Sequence, residues 1–91
     1  MIEFEWNDEK AALNFLKHGV LFQTAVKVFD DENRIEIYDK AHSTVGEDRY
    51  ITIGMAGEIL FVVYTDRGKR IRLISARLAT AREREIYYDN L

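Results

Sequence analysis

The chain contains no cysteine and no proline. Without cysteine, neither disulfides nor thiolate metal sites can hold the fold together, so its stability must come from packing. That absence suits a reducing cytoplasm. Without proline, and with five glycines in 91 residues, the chain has no evident linker or low-complexity break; one domain spanning residues 1–91 is expected. Long hydrophobic runs are missing too. The longest, ILFVVY from Ile59 to Tyr64, is far too short to cross a membrane. The acidic start, MIEFEWNDEK, lacks the basic, apolar-cored form of a signal sequence. A cytoplasmic protein without membrane contact is therefore expected. There is also no Gly-rich phosphate loop, nucleophile elbow or HExxH pattern. His18 and His42 are joined by no metal-binding spacing, so neither metal nor other cofactor is expected.

What is present is 47% hydrophobic and 32% charged residues, a balance that argues for a folded chain and against disorder. The net charge of −3 hides a strong segregation. Residues 1–48 hold eleven acids and five bases, net −6; residues 49–84 hold eight bases and three acids, net +5; Glu85 and Asp89 add −2. A segregated basic region attracts polyanions even on an acidic molecule, whereas the acidic half could attract a basic protein.

The segment FEW (Phe4 to Trp6) is either a short strand or an anchoring stretch. Asn7 is placed to cap a first helix running to about Lys17, with Asp8 and Glu9 at its positive end. Ala12, Phe15 and Leu16 form its apolar face and Gly19 its C-terminal cap. Phe22, Ala25, Val26 and Phe29, at i, i+3, i+4 and i+7, predict a second helix. After the acidic turn DDEN the period becomes two. RIEIYDK, RYITIGMA, EILFVVYT and KRIRLISAR read as four strands, the third central and buried on both faces. Gly57 and Gly68 mark tight hairpins, so the last three form an antiparallel meander. Thr80 and Glu83 make a T-x-x-E capping box that opens a C-terminal helix. The fold class is α+β: two N-terminal helices, a four-stranded mostly antiparallel sheet and a C-terminal helix.

Six arginines and two acids lie between Arg67 and Glu85. Strand alternation puts Ile71 and Leu73 on one face, Arg70 and Arg72 on the other. Arg77 shares the parity of Ile71, Leu73 and Ser75, so it either emerges at the sheet edge or is re-aimed by a bulge. Arginines this crowded repel one another unless acids or a polyanion neutralise them, and their guanidinium groups suit bidentate phosphate contacts. Lys17 and His18 fall in the last turn of the first helix, where cations complement the helix end; His18 could also carry a proton near neutral pH. His42 lies in a polar loop that no core explains.

Three blocks, FEWNDEKAALNFLKHGVLFQTA, HSTVGEDRYITIG and RIRLISARLATARERE, together resemble the BrnT toxins of bacterial type II toxin–antitoxin systems. The KHGV-x-F and ISAR-x-AT-x-x-E blocks carry the resemblance most specifically. Asn7 stands where an aspartate is usual, and a proline often found after DD is missing. The resemblance implies a RelE-like fold and a metal-independent ribonuclease that arrests translation. It also implies a BrnA-type antitoxin as partner, through which alone operator DNA would be bound. RNA cleavage by its own 2′-hydroxyl needs a base, an acid and cations for the phosphorane. On that basis Arg72, Arg77, His18 and Glu83 are the candidate catalytic residues, with Tyr87 in reserve. Arg67, Arg70, Arg82, Lys17 and His42 are the candidate RNA- and phosphate-binding residues. A different class of function is a non-catalytic module whose basic face docks an acidic protein or nucleic acid in a repressor complex.

Overall fold

A computed structural model describes residues 2–91. The order is β1 (Glu3–Glu5), α1 (Asp8–His18), α2 (Phe22–Ala25) with a 3₁₀ continuation (Val26–Asp30), β2 (Ile35–Tyr38), β3 (Arg49–Ala56), β4 (Glu58–Asp66), β5 (Arg70–Leu78) and α3 (Ala81–Asp89). The fold class is α+β as expected, but the sheet has five strands, in the order β1-β5-β4-β3-β2. The additional strand begins at Glu3 and takes in Phe4 of the FEW segment, and it pairs parallel to β5. The rest is an antiparallel meander, with Gly57 and Gly68 at positive φ in its two hairpin turns.

The ends of α1 follow the sequence. The Asn7 side chain accepts the Lys10 amide at 3.0 Å, and Gly19 at φ 70° sends its N–H to Phe15. Its orientation does not. Phe15 and Leu16 face solvent, and the buried residue is Asn14. The cause lies at the sheet edge. β1 pairs only with residues 70–72, so the outward N–H and C=O of Ala76 have no strand beside them. The Asn14 amide supplies both partners, donating to Ala76 O at 2.8 Å and accepting from Ala76 N at 3.0 Å, and it also donates to Val20 O. Unpaired buried backbone groups are costly, and that need outranks burial of Phe15 and Leu16.

The second helix is one turn of α-helix that tightens into the 3₁₀ segment, yet Phe22, Ala25 and Val28 are all buried. They pack with Val20 on Leu60, Val62, Tyr64, Ile71, Leu73 and Ala76, one face of the sheet. The approach is close enough that a Cβ at Gly54 would lie 2.6 Å from Val28 Cγ1.

The opposite face carries a smaller cluster, Ile53, Ile59, Ala79 and Tyr87, with Ile35, Ile51 and Phe61 beside it. α3 opens on the expected Thr80–Glu83 capping box and is anchored by Tyr87, whose hydroxyl donates to Asp31 at 2.6 Å. Nine residues of helix cover only part of this face; the other part is open.

A bulge decides what the open part displays. Val63 pairs with Ser75 but Tyr64 with Leu73, so Ile74 is an extra residue in β5. Beyond it the parity reverses: Ala76 enters the core beside Val62, and Arg77 leaves the side of Ile71 and Leu73 for that of Arg72.

Candidate functional site

Three cross-strand rows build the open face. Arg49, Thr65 and Arg72 pair across β3, β4 and β5; Ile51, Val63 and Ser75 form the next row, and Ile53, Phe61 and Arg77 the third. Residues directly opposite one another in a sheet have Cβ atoms about 5 Å apart, so the first row sets Arg49 and Arg72 on either side of Thr65.

That row floors a polar depression of about 250 Å³ lined by Lys10, Glu47, Arg49, Thr65, Arg67, Arg72 and Ile74. Four cations meet one acid there. Glu47 is 3.5 Å from Arg49 and 3.8 Å from Arg67, and Glu5 approaches Arg72 no closer than 3.8 Å. Contacts of this length at partly exposed side chains neutralise the cations weakly. Thr65 is buried, and its Oγ1 has no hydrogen-bond partner among the described residues. A buried hydroxyl is normally satisfied, so Thr65 Oγ1 is an uncommon feature beneath this row.

Arg49 and Ile74 also line a second depression of about 300 Å³, with Asp39, His42, Ser75 and a floor of Ile51, Phe61 and Val63. His42 Nδ1 lies 2.9 Å from the Asp39 carboxylate. The loop holding this pair is tied down. The Asp39 amide donates to Arg49 O at 2.8 Å, Ser43 Oγ donates to Asp39 O at 2.7 Å, and Ser43 Oγ accepts from the Arg49 amide at 2.9 Å. A neutral imidazole held this way carries its proton on Nδ1 and leaves Nε2 free to accept one. A third depression, of about 230 Å³, shares Lys10, Ile74 and Ser75 with the others and is lined by Leu13, Asn14, Lys17 and His18 of α1.

The sequence candidates therefore separate. Arg67 and Arg72 share the cationic depression, His42 lies in the one beside it, and Lys17 and His18 in the third. Arg77 and Glu83 lie apart on the α3 side, joined by hydrogen bonds of 2.7 and 3.0 Å, with the Arg77 guanidinium 3.9 Å over the Phe61 ring. Arg77 holds the Glu83 carboxyl below the ordinary carboxylate range, against the opposing effect of burial and with help from the Thr80 amide. Arg70 pairs with Glu3 at the sheet edge and Arg82 with Glu85 on α3, both exposed. The Tyr87 hydroxyl, bonded to Asp31 and desolvated, is pushed up to about 12. It is a poor proton donor near neutrality.

Lys10, Asp39, Arg49 and Thr65 belong to this surface and were not among the candidates. The spacing Asp39-x-x-His42 was a readable signal for one of them. Arg49 and Thr65 had none, because only the strand register brings them to Arg72. Among the described residues no group of three or more His, Cys, Asp or Glu could hold a metal ion, and no helix is long and apolar enough to cross a membrane.

No curated protein matches the chain. Among solved structures, the chain is similar to the Brucella abortus ribonuclease toxin BrnT, known from a 1.1 Å crystal structure. The TM-score is 0.71 at 25% identity, over 88% of this chain and 99% of that one. The family model described as the ribonuclease toxin BrnT of type II toxin–antitoxin systems matches residues 6–83. Most of the chain thus lies within that match, and the chain belongs to the BrnT family of ribonuclease toxins.

Proposed function

We propose that the open sheet face binds RNA and cleaves it by attack of a 2′-hydroxyl on the adjacent phosphorus, without a metal. The scissile phosphate lies over the Arg49–Thr65–Arg72 row. Lys10 and Arg67 complete the cationic wall. His42, oriented by Asp39, takes the 2′-hydroxyl proton on Nε2. His18, on the other side of Ser75, protonates the departing 5′ oxygen. The guanidinium groups stabilise the extra charge of the phosphorane, which suits planar, permanently charged donors. Arg77 and Glu83 brace α3 and stay outside the chemistry. The observation that carries this reading is a depression where four cations meet one acid, beside an Asp–His pair.

The biological consequence is arrest of translation in the cytoplasm through loss of RNA, by a single domain. A BrnA-type antitoxin neutralises it by laying an acidic segment over the four cations, and the complex reaches operator DNA through the antitoxin. Induced expression tests the reading. Growth arrest with RNA fragmentation that Arg72→Ala abolishes is the expected result. Intact RNA and normal growth from soluble, folded protein would overturn it in favour of a docking module.

A further inference from the structure

We infer that the depression floored by Ile51, Val63 and Phe61 is a nucleobase subsite, so that the protein grips one unstacked nucleotide of single-stranded RNA. The inference rests on the RNA reading above and names the form of substrate that fits it. An uncovered sheet face is ordinarily polar where α3 does not reach, because one side of an antiparallel sheet faces water. Here three apolar side chains stay half-buried under a depression of about 300 Å³. That is the lower end of the size range of small-ligand sites, and an apolar floor with a few polar groups is their usual form.

The polar groups are at hand. Ser75 and the Asp39 carboxylate line the same depression and can meet the hydrogen-bonding edge of a base, while His42 Nε2 stays with the 2′-hydroxyl. Arg49 and Ile74 line both this depression and the cationic one. A base and its own phosphate can therefore be held together, with Arg49 between them. In duplex RNA the bases are stacked and paired and cannot enter, whereas single strands present bases to apolar and aromatic surfaces.

Nucleoside 3′-monophosphates are not substrates for phosphodiester cleavage, so they probe the intact wild-type protein. Their binding is followed by ¹⁵N NMR titration at low salt beside ribose 5-phosphate and inorganic phosphate. At least one nucleotide should bind about tenfold more tightly than ribose 5-phosphate, the order expected for one well-seated base. Val63→Thr, nearly isosteric and β-branched, should reduce that preference several-fold and leave phosphate binding unchanged; Ile51→Thr serves as a second such variant. Equal binding of nucleotide and ribose phosphate would overturn the subsite and leave the ribonuclease reading intact. So would equal cleavage of duplex and single-stranded RNA. Failure of every phosphate compound to bind, together with failure to cleave long RNA, would instead remove the ribonuclease reading and the subsite with it.

Discussion

Arg72 and Arg77 lie on the same strand and the same face, and replacing each with alanine should have opposite consequences. Arg77 makes two charge-assisted hydrogen bonds to Glu83 and sits over Phe61, with its side chain 32% exposed and that of Glu83 17% exposed. Bonds of this type contribute about 1.5–3 kcal/mol when desolvated, and partial exposure reduces that. Arg77→Ala also leaves Glu83 without its main counter-charge at the start of α3. A loss of about 2 kcal/mol is expected, or roughly 10 °C in Tm for a domain of this size. Arg72 has only the 3.8 Å approach to Glu5, too long for a hydrogen bond, so Arg72→Ala should cost at most about 0.5 kcal/mol. Its effect should fall on chemistry, with cleavage reduced about 10²-fold, as when one transition-state donor is removed. Urea unfolding and cleavage of an unstructured RNA, measured well below the unfolding midpoint, separate the two. An Arg77→Ala protein as stable as wild type, but as inactive as Arg72→Ala, would refute the division of labour.

Two further outcomes follow from the packing. Asn14→Ala strands both backbone groups of Ala76 and should cost about 3 kcal/mol in urea unfolding, with Asn14→Asp intermediate because the acceptor for the Ala76 amide remains. At high pH the Tyr87 hydroxyl gives a signed effect. Its folded value is raised to about 12, so its contribution is complete below the ordinary tyrosine value and is lost as pH rises through the folded one. Unfolding midpoints measured between pH 9 and 12 should fall, and Tyr87→Phe should flatten that decline. At the acid end the signs reverse for Asp31 and Glu83. Burial alone would raise the Asp31 carboxyl, but the Tyr87 hydroxyl, the Met55 and Asn33 amides and Arg34 hold it low, as Arg77 does Glu83. Their contribution is lost only as pH drops below the ordinary carboxylate range.

The parts of the fold that were legible in the sequence are those set by neighbours along the chain. Asn7, Gly19 and the Thr80–Glu83 box mark helix ends through contacts within four residues, and Gly57 and Gly68 mark turns that require positive φ. The strand pairing of β3, β4 and β5 followed from those turns. The inward side of α1 was not legible, because Asn14 answers an unpaired strand edge 62 residues away. The fifth strand stayed open beside an anchoring stretch for a related reason: three residues carry almost no periodicity, and β1 is fixed by parallel pairing to a strand far down the chain. For the site, charge pointed to β5, and the structure places Arg67 and Arg72 of that basic region in one depression. Charge alone does not separate them from Arg77, which the structure pairs with Glu83 of the next helix.

Ile74 holds an unusual position in this arrangement. A β5 strand one residue shorter at that point would zip to β4 without a gap, and Arg72, Ser75 and Arg77 would still share a face. Strand pairing makes no use of the residue. Yet Ile74 is common to the cationic depression, the apolar one and the one along α1. A residue that strand pairing leaves over is thus the wall where the three compartments of the surface join.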